Sequence, residues 1–91
     1  LRPNRPDRFA AVCFYEHVNY RGDSFCVRPG ESSRRMPRGW NDKVSSIRVR
    51  GDARATVCRD VNYGGGCATV RNDISNIGGR NNDSISSYRV R

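Results

Sequence analysis

The sequence predicts an all-β fold, a small sandwich of two tandem Greek keys, and three features carry that expectation. First, the chain repeats itself. Val18-Asn19-Tyr20-x-Gly22 returns 43 residues later as Val61-Asn62-Tyr63-x-Gly65, and Asn41-Asp42-x-Val44-Ser45-Ser46 returns 41 residues later as Asn82-Asp83-x-Ile85-Ser86-Ser87. Second, short apolar runs alternate with Gly-, Pro-, Asn- and Asp-rich breaks, as strands alternate with turns. Helical periodicity is nearly absent. Third, the four cysteines fall into two pairs, Cys13 with Cys26 and Cys58 with Cys67, whose midpoints are separated by the same 43 residues. An internal repeat constrains architecture before any other signal. Four short antiparallel strands with one long connection make a Greek key, and two such units make a sandwich.

Residues 1–9, with Pro3, Pro6 and three arginines, read as a flexible N-terminal arm. The single domain then spans 10–91, with the first key at about 10–50 and the second at about 53–91. In the first key, residues 9–15 are apolar and aromatic and predict a strand, 19–23 a turn, and 24–28 a return strand ended by Pro29-Gly30. Residues 31–39 are polar, contain Pro37 and Gly39, and predict a long loop; a strand over 44–50 follows. The second key predicts strands at 55–59 and 67–70 around a glycine-rich turn, a polar loop over 72–81, and a last strand after Ser86.

Each cysteine pair sits symmetrically about its own hairpin, where opposite residues on paired strands come close. The expected disulfides are therefore Cys13–Cys26 and Cys58–Cys67, in an oxidising, extracellular setting. Structural zinc is disfavoured, because no C-x-x-C occurs and His17 is the only histidine. Sixteen arginines and one lysine against nine acids give a net charge of +8, which favours anionic partners. Most arginines are scattered along apparent strands, as on a solvated face. Arg34, Arg35 and Arg38 cluster in the first long loop and are candidates for an acidic protein or cell-wall partner. Nucleic-acid binding is disfavoured, since basic residues are not interleaved with exposed aromatics. No apolar run approaches the roughly 20 residues of a membrane span. Trp40, which has no counterpart in the second key, predicts core or rim packing.

The two Asn-Asp-x-x-Ser-Ser stretches carry the chemistry. A carboxylate followed at three residues by a hydroxyl, within a polar turn, brings hard oxygen donors together. Such donors suit Ca²⁺, which takes about 6–8 of them. One copy alone is explained by ordinary turn formation; two copies in register of a duplicated unit favour the ion. No nucleophile is placed beside His17, so an enzyme is not expected.

Tyr15-Glu16-His17-Val18-Asn19-Tyr20-Arg21-Gly22, the matching spacing of 58–65, and both Asn-Asp motifs resemble the microbial βγ-crystallins over about residues 10–91. That resemblance implies a βγ-crystallin-like sandwich and two Ca²⁺ sites at one end of it. It implies side-chain oxygens from Asp42, Ser45, Asp83 and Ser86, and backbone carbonyls from Glu16, Lys43, Arg59 and Ser84. Cys58 departs from the family's usual aromatic, and Arg59 stands where close relatives carry Glu. One carboxylate per site in a cationic protein implies an affinity of about 10⁻⁵ to 10⁻³ M. The resemblance also extends to secreted actinobacterial members with two disulfides, among them a metalloproteinase inhibitor and a killer-toxin-like protein. It therefore leaves protease inhibition and antimicrobial action as alternatives. A monomer is expected.

Overall fold

The computed structural model describes residues 10–40, 43–77 and 85–91. The predicted N-terminal arm therefore lies outside the described residues. Alternating apolar positions build the sandwich from two sheets. Strands β1 (Ala11–His17), β2 (Arg21–Val27) and β4 (Ser46–Arg50) form one, in the order β2-β1-β4. Strands β3 (Ser32–Ser33), β7 (Ser87–Val90), β5 (Ala55–Cys58) and β6 (Cys67–Val70) form the other, in the order β3-β7-β5-β6. All pairings are antiparallel.

The keys interlock by exchanging their third segments. Ser32–Ser33 leaves the first key to pair with β7, and Ile74 of the second key bridges Ile47 of β4. The residues predicted as the first long loop thus contain a short strand. Its two serines carry no apolar signal, and only their cross-key partner makes them a strand. Between the sheets lie Val12, Phe14, Val27, Val44, Ile47, Ala55, Tyr88 and Val90. Burial, then the Glu31 carboxylate, holds the Tyr88 phenol above its ordinary range, partly offset by a hydrogen bond with Ser33.

Both disulfides form as expected, between directly opposed residues of β1–β2 and β5–β6. They occupy different rungs of the repeat. Tyr15 faces Ser24 in the first hairpin, and Cys58 faces Cys67 at the corresponding place in the second.

Candidate metal site

Each hairpin folds over its own sheet at a 3-10 turn, Val18–Tyr20 in the first key and Val61–Tyr63 in the second. Asn19, Tyr20, Asn62 and Tyr63 all adopt the left-handed conformation, with φ between 58° and 62°. Asn accepts this readily; a tyrosine there is uncommon and needs external support. A serine supplies it. Ser46 Oγ accepts the Tyr20 N–H at 3.0 Å and donates to the His17 carbonyl at 2.6 Å. Ser87 Oγ does the same for Tyr63 at 3.0 Å and Asp60 at 2.7 Å. The other key's long loop completes the support: Asn19 N–H donates to Ser75 O and Asn62 N–H to Arg34 O, at 2.8 and 2.7 Å. Gly22 and Gly65 end the fold at φ +82° and +76°, where a Cβ would lie 2.5 Å from the His17 ring or the Asp60 carboxylate. Glycine alone satisfies both demands.

The second serine of each motif is therefore a structural hydroxyl, fully buried. The first serine is placed differently. Ser45 N–H donates to Tyr15 O at 2.9 Å and Ser86 N–H to Cys58 O at 2.8 Å. The ladders end at Tyr15 facing Ser46 and Cys58 facing Ser87, so the first serine of each motif binds the residue that immediately precedes Glu16 or Arg59. The same backbone arrangement occurs once per key. Ser45 O accepts the Ile77 N–H at 3.0 Å, and its hydroxyl makes no hydrogen bond among the described residues. Lys43, two residues before Ser45, is exposed and its N–H donates to Trp40 O at 3.1 Å. Asp42, Asp83 and Ser84 lie outside the described residues.

His17 Nε2 lies 3.7 Å from Glu16 Oε1. All four cysteines are bound in disulfides and so unavailable to zinc. Trp40 packs edge-on against Phe25 at a centroid distance of 4.8 Å, the packing role expected of it.

Comparison with known proteins places this architecture. The model of the family described as peptidase inhibitor family I36 matches residues 9–71. Spherulin-3A of Physarum polycephalum is 34% identical over 82 residues, covering 87% of this chain and 80% of that protein. A βγ-crystallin domain from Clostridium beijerinckii, solved as a double mutant, superposes with a TM-score of 0.77 at 31% identity, covering 88% of this chain and 94% of that one. One from Flavobacterium johnsoniae gives 0.77 at 28% identity, covering 88% and 92%. The chain belongs to peptidase inhibitor family I36 and is a microbial βγ-crystallin domain. Family membership explains the duplicated fold-over turns, which the βγ-crystallin domain builds twice with the same serine, asparagine and glycine.

Proposed function

We propose that this βγ-crystallin domain is a secreted, non-enzymatic calcium-binding module with one ion site per Asn-Asp-x-x-Ser-Ser motif. One observation carries the reading. In both keys the first serine's N–H donates to the carbonyl of the residue just before the one whose carbonyl the site needs, while the second serine is consumed by the turn. Asp42 with Ser45 and the carbonyls of Glu16 and Lys43 would serve one motif; Asp83 with Ser86 and the carbonyls of Arg59 and Ser84 would serve the other. This set is all oxygen and mostly neutral, which fits a hard divalent cation of modest affinity. Bound calcium would offset carboxylate repulsion and stabilise the folded state by RT ln(1 + [Ca]/Kd), about 2.7 kcal/mol at a hundredfold excess for one site. Two disulfides in so short a chain fit an oxidising, extracellular setting.

The test is calorimetric titration of chelator-treated protein with Ca²⁺, on the native sequence and on Asp42→Ala with Asp83→Ala. Two binding events, both lost in the double variant, support the reading. No heat of binding by a folded native chain overturns it.

The family match favours a second reading, inhibition of a peptidase. Arg35 and Arg38 are exposed on a loop pinned by buried Met36 and by the Arg34 carbonyl, which accepts the Asn62 N–H. A thermolysin-like metalloprotease titrated with the domain should lose activity stoichiometrically, and Arg34→Ser, Arg35→Ser, Arg38→Ser together should relieve it. Full protease activity at excess domain rejects this second reading.

A further inference from the structure

The arginines that look scattered in sequence converge at the end of the sandwich away from the fold-over turns. Arg54 and Arg91 exchange both backbone hydrogen bonds, at 3.0 and 2.9 Å, and so stand directly opposite one another. Ala55 faces Val70 at the last rung of that ladder, and Arg54 and Arg71 are the residues immediately beyond it on the two strands. Three arginines thus cross β7, β5 and β6 in a single row, with strands about 4.8 Å apart. Their inward neighbours Val90, Ala55 and Val70 are buried, so alternation turns the row toward the outer face. Two residues along lies a second outward row, Arg89, Thr56 and Thr69, with Ser32 beside Arg89.

Among the described residues no side-chain carboxylate pairs with these arginines. Arg54, Arg71 and Arg91 are exposed, and none makes an ion pair among the described residues. Glu31, whose carbonyl accepts the Val90 N–H, accepts the Arg28 N–H through Oε1, and Asp52, two residues before Arg54, makes no ion pair among the described residues. Like charges directly opposed across strands destabilise a sheet, so packing does not account for the row. The other sheet avoids it: the position equivalent to Arg54 is Ala11, which faces Arg50, and Arg48 has Asp73 at 3.7 Å.

We propose that the outer face of the β3-β7-β5-β6 sheet is a binding surface for a linear phosphodiester polymer, held through its backbone. Guanidinium groups grip phosphate oxygens bidentately, and the serine and threonine hydroxyls add neutral donors. The face offers no apolar anchor of the kind that organises protein interfaces. The Tyr63 ring carries the Arg89 guanidinium over one face at 4.4 Å, where a base would otherwise stack. Recognition is therefore of charge and spacing, not of bases.

Anisotropy titration with a labelled abasic single-stranded oligonucleotide, beside a base-bearing one of equal length, tests this. The native domain should bind both alike. Arg54→Ser, Arg71→Ser, Arg91→Ser together should weaken binding more than tenfold at low salt and reduce the log–log salt slope by about 2, at ~0.7 per phosphate contact. Arg34→Ser, Arg35→Ser, Arg38→Ser removes the same net charge and should bind as the native chain does. Equal losses in the two triple variants, preference for the base-bearing strand, or tighter binding of heparin or polyglutamate at equal charge would each overturn the proposal. Removing a self-repelling row should leave the melting temperature unchanged or raised. If the triple variant does not fold, Arg54→Glu alone must weaken binding.

Discussion

In the first Greek key, Phe14 lies 5.2 Å from Phe25 and 5.4 Å from Tyr88, and Trp40 closes the group edge-on. At the corresponding positions of the second key, Val57 faces Ala68. A cavity of about 420 Å³ opens there, bordered by Val57, Ala68, Ile74, Ile77 and Ile85. Cys58, buried and bonded to Cys67, stands where the first key has Tyr15. The backbones nevertheless match turn for turn, down to the four left-handed residues. The frame of this fold is therefore set by turn hydrogen bonds repeated twice, while apolar packing is concentrated in one half and a covalent link supports the other.

That division implies unequal core costs. Phe14→Ala should destabilise by about 3–5 kcal/mol, as a buried aromatic truncated to a cavity. Val57→Ala should cost less than about 2 kcal/mol, since it removes little apolar volume at about 0.8 kcal/mol per methylene and borders a space already open. Chemical denaturation measures both. Equal losses would mean that the second key is packed as well as the first.

The frame, by contrast, should be symmetric. Ser46→Ala and Ser87→Ala each strand one backbone donor and one acceptor in a left-handed turn, and each should cost about 1–3 kcal/mol. Ser45→Ala, in calcium-free protein, removes a buried hydroxyl that makes no hydrogen bond among the described residues and should cost less than either. Denaturation midpoints for the three decide it. A Ser87→Ala cost far below that of Ser46→Ala would show that the second turn is held by its disulfide instead.

The repeat was legible because its signals are local. Asn-Tyr-x-Gly marks a left-handed turn in both keys, and the cysteine pairs centred on those turns are bonded to each other. What eluded the sequence is non-local. Ser32–Ser33 becomes a strand only because β7 lies beside it, and the row Arg54, Arg71, Arg91 assembles only after three strands are placed in register. At the candidate metal site the two serines of each motif are chemically identical on paper. Only their placement separates them: the Ser46 and Ser87 hydroxyls hold the folded hairpins, and Ser45 and Ser86 meet the sheet through their backbone N–H groups. The two core phenylalanines gave no hint of the cavity opposite, because its counterpart residues are ordinary strand formers.

The smallest effect concerns charge beside the two proposed ion sites. Glu16 in the first key and Arg59 in the second occupy equivalent places, each offering a carbonyl, and their side chains differ in sign. A carbonyl ligand is indifferent to its own side chain, but a guanidinium nearby opposes a divalent cation. Arg59→Glu should therefore tighten calcium binding at the second motif. Coulomb attraction between unit charges is about 1 kcal/mol at 4 Å in water. A change of two charges acting on a divalent ion from further away, screened over the ~8 Å Debye length of physiological salt, leaves about 1 kcal/mol, or roughly fivefold in Kd. Glu16→Arg should weaken the first site by a similar factor. Both shifts should collapse in 1 M salt, where screening acts over ~3 Å. Calorimetric titrations at low and high salt supply the measurement. Affinities indifferent to both substitutions at low salt would place the ions away from these two carbonyls and return the Asn-Asp-x-x-Ser-Ser motifs to the role of turn formers.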